Sequence, residues 1–329
     1  MGIVDPLILV VSNAADATAD FFEDRLRLTG HDYLRVNSDD FATSALTIDC
    51  TNFRWHGTFS MAGTTVDVDQ IAAIYYRRPQ VPPIHTTSDA GTSSWMQSEL
   101  RSAWGGLLAA RTDITWLNHP LAISAASYKP EQIARATRAG LDVPDTLITT
   151  DPGRALTFCT SHSWQVITKP LGHGAVVGAS AAGDRVVYTN QLDSSNAMLL
   201  DRVTNCATLL QRQIDKTIDI RATVVGTECI AVALHSQDRT ESMIDCRRNN
   251  MDGMRYSLIS LLDSLADRLI TYTRSYGLMF AAIDLILDKA GTYWFLELNA
   301  AGQWAWLEQL ADAPISGAIV RALRGGRGR

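Results

Sequence analysis

Short continuous apolar runs alternate with helical stripes in the first part of this chain; later the pattern turns into strand-like alternation. Residues 7–11 are an unbroken apolar run closed by Ser12 and Asn13, and residues 14–28 carry Phe21, Phe22 and Leu26 at helical spacing until Gly30 stops them. Residues 33–36 return as a strand, so the opening predicts a β-α-β unit and a small parallel α/β sheet. No G-x-G-x-x-G follows the first run, which disfavours a dinucleotide site. Residues 45–68 alternate, with Gly57 and Ala62-Gly63 as the expected turns of a β-meander. Residues 71–76 form a further apolar strand, stopped by Pro79.

The spacing predicts a helix over residues 93–111 that buries Trp95, Leu100, Trp104, Leu107 and Leu108, then a strand over 114–117. A second helix is expected over 127–140, with Lys129-Pro130 in its first turn, where proline is tolerated. Strands follow at 146–149 and 164–169, separated by a helix that Asp151-Pro152-Gly153 caps. Val176-Val177 and residues 185–188 read as antiparallel strands, 208–214 as a strand feeding a connector, and 219–225 and 229–234 as a strand pair. Residues 256–276 predict one long amphipathic helix on Leu258, Leu261, Leu262, Leu265, Leu269 and Tyr272, a core stripe rather than a functional one. The Gly- and Arg-rich residues 321–329 read as a frayed tail.

The most informative stretch is 277–308. Residues 280–287 are apolar except for Asp284; Asp288, Lys289, Ala290 and Gly291 supply turn chemistry; residues 293–298 return and end in Glu297-Leu298-Asn299. Strand side chains alternate, so Glu297 and Asn299 share a face that Asp284 can join across the pair. Unpaired carboxylates among apolar neighbours cost several kcal/mol, roughly, and a hard cation relieves that cost. Mg²⁺ takes oxygen ligands and completes its shell with substrate phosphates, so the hairpin reads as a metal–nucleotide platform. The alternative is a polar hairpin whose acids face water.

Composition bounds the rest. The 329 residues suit two or three domains; 46% are hydrophobic and 19% charged, a globular balance. A net charge of -6 gives no support to a general nucleic-acid binder. Cys50, Cys159, Cys206, Cys229 and Cys246 show no C-x-x-C, which argues against a zinc site or disulfide framework and fits a reducing cytoplasm. The apolar opening lacks a basic region and a cleavage site, Gly2 matches only the start of an acylation signal, and no run is long enough to span a bilayer.

Cations gather around the platform in sequence. Arg77-Arg78 at a strand end suit bidentate binding of a carboxylate or phosphate; equally, one could pair structurally while the other is solvated. Lys169 leaves its strand into a loop with Gly172 and Gly174, whose backbone can approach a phosphate. Arg221, Arg247 and Arg248 precede the acidic hairpin, and cations beside an acidic metal site suggest a polyphosphate between them.

In that order, Lys129, Lys169 with its glycine loop, Gln211 to Ile214, Asp219-x-Arg221, Arg247-x-Asn249, Asp284 and Glu297-x-Asn299 resemble the ATP-grasp superfamily over about residues 118–308. Tyr75-Tyr76-Arg77-Arg78-Pro79, Leu117-Asn118-His119-Pro120 and the stretch from Asn299 to Glu308 further resemble the graspetide maturases, the microviridin-type macrocycle-forming ligases. Departures are Ala300-Ala301 where a proline is common and Cys246 where a tryptophan is common.

The resemblance implies a mixed α/β and α+β fold: a small N-terminal α/β (pre-ATP-grasp) domain over 1–120, a central ATP-grasp subdomain over 121–212 and a C-terminal one with the metal site over 213–329. It implies an ATP- and Mg²⁺-dependent ligase that activates Asp or Glu side chains of a precursor peptide as acyl-phosphates and closes lactones or lactams with Ser, Thr or Lys. Lys129, Lys169, Gly172 and Gly174 would bind phosphates. Gln211, Arg212, Gln213 and Ile214 would hold adenine through backbone groups, with Asp219 also at the nucleotide. Arg221, Arg247 and Asn249 would stabilise the transferring phosphoryl group; Asp284, Glu297 and Asn299 would ligate one or two Mg²⁺. Arg77 and Arg78 would hold the acidic substrate or support the domain junction. Expected partners are a precursor with leader and acidic core and a second copy of the chain, with no nucleic acid or membrane. A glutamate-type amino-acid ligase and a non-catalytic ATP-binding regulator are the alternatives.

Overall fold

The structure is a computed structural model that describes residues 7–325 apart from 53, 62, 86–88, 173, 177–184 and 252. The acylation-like start, Val177 of the expected hairpin and residues 326–329 lie outside the described residues.

The first sheet has four parallel strands in the order Tyr33–Asn37, Leu7–Ser12, Ile71–Tyr76, Thr115–Leu117. Both faces are buried, as its continuous apolar runs require. Ile8, Val10, Ala73 and Tyr75 join one core with Phe22 and Leu26 of the helix Ala17–Leu28; Leu9, Val11, Ile71 and Ile74 join another with Phe59 and Trp104. Because the strands are parallel, their carboxyl ends share one edge. Asn13 and Asp16, Arg77 and Arg78, and Asn118 all follow strands at that edge.

The meander Ala45–Thr51, Arg54–Met61, Thr64–Asp67 is present, but Gly57 is not a turn. It lies inside the middle strand opposite Ile48, where a Cβ would come 2.2 Å from the Thr47 carbonyl oxygen. The chain turns instead at Asn52, whose φ is 51°. In the helix Ala90–Ala109, Trp104, Leu107 and Leu108 are buried as expected, whereas Trp95 is 63% exposed. Nine positions at about 100° each put Trp95 on the face opposite Trp104. A short helix, Pro120–Ala125, capped by the His119 ring, was not signalled by apolar spacing.

Two antiparallel sheets follow. The central one runs Asn190–Leu192, Val166–Lys169, Thr208–Arg212, Thr146–Thr149, backed by the helix Pro152–Ser161 and the 3-10 turns of Ser194–Asn205. A small hairpin, Ala175–Val176 with Arg185–Val186, extends from it. The C-terminal sheet runs Tyr256–Ile259, Glu228–Leu234, Lys216–Val225, Phe280–Asp288, Tyr293–Asn299. The long helix expected over 256–276 is therefore two elements: Tyr256–Ile259 pairs at the sheet edge and only Asp263–Arg274 is helical. Leu258 and Leu262 are 51% and 65% exposed, since the short stretch alternates as well as it spirals and the open sheet edge captures it. Nor are residues 321–325 frayed. They complete the helix Ile315–Gly325, whose Ile315, Ile319 and Leu323 pack into the core of the first sheet.

Candidate functional site

The C-terminal hairpin sets the site. Arg221, Asp284 and Glu297 stand opposite one another on three adjacent antiparallel strands, and Asn299 lies two residues beyond Glu297 on the same face. A bulge at Leu296 breaks the register beside Asp284 and leaves the Leu296 carbonyl to accept the Lys169 ammonium at 3.4 Å. Arg221 Nε lies 3.1 Å from Asp284 Oδ1, and Lys129 Nζ lies 3.0 Å from Glu297 Oε2. Lys129, Lys169, Arg221, Asp284 and Glu297 thus meet from a helix start, the central sheet and the C-terminal sheet.

Two buried amides hold this assembly. Gln132, one turn after Lys129, donates to the Ala126 and Leu298 carbonyls at 2.7 and 2.9 Å and accepts the Leu298 amide at 3.0 Å. It acts as a missing strand partner between the two metal-candidate positions Glu297 and Asn299. Asn118 donates to the Phe280 and Ala300 carbonyls, both at 2.8 Å, and accepts the Met279 and Phe280 amides at 2.8 and 2.9 Å. It bolts the carboxyl edge of the first sheet to the base of the hairpin.

The electrostatics follow from crowding. Burial pushes the Lys169 ammonium down to about 8 although Glu297 opposes it. Burial would also raise the Glu297 carboxyl, but Lys129 and Lys169 outweigh it and hold that group well below its usual range. Asp284 is pushed up by burial and by the facing Glu297, with Arg221 only partly compensating. Arg221 Nη1 is buried without a protein partner. A donor left in that condition beside paired acids fits an anion such as a phosphate. Among the described residues no three His, Cys, Asp or Glu side chains converge, so Asp284 and Glu297 need an amide oxygen to complete a ligand set. Asn299 Oδ1 accepts the Ala301 amide at 3.2 Å and retains a second lone pair for that purpose.

Several residues expected at the site take other roles. Arg77 is 3% exposed and its Nε and Nη2 meet both oxygens of Asp16 at 2.8 and 3.3 Å, while its other nitrogen contacts reach Tyr75 and Gln303. It is a junction residue, not a substrate contact. Asp219, two residues before Arg221 on the same strand face, accepts two bonds from Lys216 at 2.9 and 2.7 Å and one from Ser236. Gln211 is inside the central sheet, paired with Thr146 and Ile167, so its backbone cannot receive a base. The Arg212 and Gln213 amides donate to the Asp145 and Gln165 carbonyls at 2.8 and 2.9 Å, and the Arg212 side chain lies 4.9 Å over the Trp294 ring. Among the described residues, the hinge groups that these bonds leave for adenine include the Arg212 and Gln213 carbonyls and Ile214. Gly172 lies in open space, but a Cβ on Gly174 would come 2.8 Å from the Val187 carbonyl oxygen, so that glycine serves the adjoining hairpin.

Arg247 pairs with buried Asp245, Nε at 2.9 Å and Nη2 at 2.6 Å. Burial would raise Asp245, but Arg247 and the Thr189 amide bring it down to about 2. The Thr189 amide reaches Asp245 at 2.8 Å and Arg248 reaches Asn190 at 2.7 Å, so this loop grips the edge of the central sheet. The Asn249 side chain and His173 lie outside what the structure describes. Asp16, Gln132 and Asp245 carried no periodic or motif signal of their own, while Asn118 and Gln303 lay inside motifs that gave them no individual role. Each is a polar residue that the fold, not its neighbours in sequence, brings to a partner.

Residues 126–323 match the RimK-like ATP-grasp domain and residues 7–124 the MvdD pre-ATP grasp domain. A probable alpha-L-glutamate ligase of Enterobacter sp. (strain 638) is 26% identical over 208 residues, 62% of this chain; the match spans 65% of that relative's length. A Chryseobacterium gregarium RiPP-associated ATP-grasp ligase, solved with ADP and a leader and core peptide, is 25% identical, with TM-score 0.88 and 98% of each chain covered. The macrocyclase MdnC of Microcystis aeruginosa, solved with precursor peptide MdnA, is 23% identical and shares the fold at TM-score 0.84, over 97% of this chain and 99% of that one.

Proposed function

This chain belongs to the RimK-like ATP-grasp family, and from that premise we propose that it is an ATP-dependent ligase that closes macrocycles in a ribosomally made precursor peptide. The reading rests on one observation above the rest: the row Arg221–Asp284–Glu297–Lys129, which sets two acids for a divalent ion between cations for phosphates. It is supported by likeness over 98% of the chain to a ligase bound to a leader and core peptide.

Asp284, Glu297 and Asn299 are the residues to hold Mg²⁺, which when bound neutralises and aligns the β- and γ-phosphates of ATP. Lys129 and Lys169, already at the acids, meet the phosphate oxygens. The Gln213 carbonyl and Ile214 border the base. Arg221, with one buried nitrogen open, and Arg247 hold charge that develops on the transferring phosphoryl group. Asn249 joins that set on its position beside Arg248. A peptide carboxylate oxygen bonds to the terminal phosphorus as the bond to ADP breaks. A hydroxyl or amine then bonds to the acyl carbon, loses its proton, and phosphate departs with the bridging oxygen. Residues 1–120, 121–212 and 213–329 make up the three working parts, and the assembly is a homodimer, testable by sedimentation.

Incubation with ATP, Mg²⁺ and the acidic peptide encoded by a short neighbouring reading frame tests the proposal. Each ring closed lowers the peptide mass by one water and releases one ADP. Mass gains of whole glutamate residues would favour the glutamate-ligase alternative, to which the Enterobacter relative lends support. ATP bound without ADP formed would favour a regulator.

A further inference from the structure

The two arginines that follow the strand Ile71–Tyr76 have parted company. Arg77 turns inward to Asp16. Arg78 is exposed, and its backbone is fixed: its carbonyl accepts the Asn13 side-chain amide at 2.6 Å, and Arg77 before it donates its amide to Val11 at 2.8 Å. The side chain crosses to the hairpin and donates through Nε to the Ala301 carbonyl at 3.1 Å, two residues beyond Asn299.

Among the cations around the hairpin, Lys169 donates to the Leu296 carbonyl, and the other four named below have acids of their own. Arg221 has Asp284, Lys129 has Glu297, Arg247 has Asp245 and Arg77 has Asp16. Among the described residues Arg78 has none, and its two terminal nitrogens carry no protein partner. Though its side chain reaches solvent, partial burial and the charge of Arg77 depress its ionisation, Asp16 opposes them, and Arg221 adds to the depression, so Arg78 lies within the field of Arg221. Nε fixed and two Nη groups free is the end-on fork that receives a carboxylate by two parallel bonds. The fork comes from the N-terminal domain, whereas Lys129 opens the helix Lys129–Arg138 and Lys169 ends the central-sheet strand Val166–Lys169.

We propose that Arg78 receives the side-chain carboxylate of the acidic peptide, anchored by Ala301 and set apart from Arg77 by the Asp16 clamp, and so selects Asp and Glu over neutral side chains. The assignment rests on the ligase reading above. It gives the edge of the parallel sheet a direct function: the rigid turn after Tyr76 carries one structural and one substrate-facing arginine.

The test uses the full chain and the peptide that the wild type closes. Losing a hydrogen-bonded charge pair of this kind lowers affinity about tenfold to hundredfold. In Arg78→Ala the peptide KM rises by that factor, with melting temperature and Mg²⁺–ADP affinity by calorimetry unchanged. Arg78→Lys recovers part of the loss, since it keeps the charge without the fork. An unchanged peptide KM in Arg78→Ala overturns the assignment, as does an equal loss of ADP affinity. A wild type that closes no ring refutes the ligase reading itself, a result distinct from an active wild type matched by an equally active Arg78→Ala.

Discussion

Replacing Arg77 by Met keeps much of the side-chain volume and removes the charge. In the wild type Arg77 and Asp16 side chains are each 1% exposed and meet at 2.8 Å. Removing one partner of such a pair costs about 3–5 kcal/mol, because the other charge stays buried. Asp16 keeps its bonds from Ser12 and from the Thr18 and Ala19 amides, which places the loss near the lower end, about 3 kcal/mol. For a chain of this size that is a fall of roughly 6 °C in melting temperature. Adding Asp16→Asn in the same background removes the stranded charge and recovers part of it. The pH dependence is directional. Burial would raise Asp16, yet Arg77 holds its carboxyl at about 2, below the 3.8 of the unfolded chain. A depressed carboxylate stabilises fully above the unfolded value and loses that stabilisation as pH falls from 3.8 toward 2. The deficit of Arg77→Met therefore shrinks over that window. Calorimetric melting of both variants across acid and neutral pH is the assay. A melting temperature equal to wild type, together with abolished peptide turnover, would refute the reasoning and return Arg77 to the substrate.

Gln132→Leu leaves the Leu298 amide and carbonyl and the Ala126 carbonyl without partners; it should destabilise by roughly 3 kcal/mol or more and weaken Mg²⁺–ADP binding, both read by calorimetry. Arg221→Ala should lower peptide turnover about a hundredfold or more with little change in melting temperature; near-normal turnover would remove Arg221 from the mechanism. Gly302→Ala places a Cβ 2.4 Å from that of Ala282, two residues before Asp284, so it should displace the hairpin and weaken Mg²⁺-dependent ADP binding. ADP binding to that variant with wild-type affinity would show that the contact relaxes elsewhere.

The platform was legible because hairpin chemistry is local. Asp288 and Gly291 make the turn, strand alternation does the rest, and Asp284 meets Glu297 as the pattern required. The parallel sheet was legible for the same reason, its apolar runs being long enough to be buried on both faces. What the spacing could not convey was competition. Residues 256–259 satisfy a helical stripe and a strand alternation at once, and only the exposed edge of Glu228–Leu234 decides between them. Adjacent Arg77 and Arg78 were equivalent on paper until Asp16, 61 positions earlier, claimed one of them. Gln132 resembles any other polar residue of a helix, and the motif around Asn118 marked the residue without showing its role; their weight comes from backbone groups 166 and 162 positions away. The motif marked Asp219 but not its partner, Lys216 three residues earlier, which the strand brings to 2.7 Å.

The most direct test follows one oxygen atom. A peptide with heavy oxygen in the side-chain carboxylates is incubated with the ligase, ATP and Mg²⁺, and the released phosphate is analysed by mass. If the acid is energised by phosphoryl transfer at this hairpin, each ring closed transfers one labelled oxygen to phosphate, and none does so when Glu297 is Gln. Rings that close while the phosphate stays unlabelled would contradict the account.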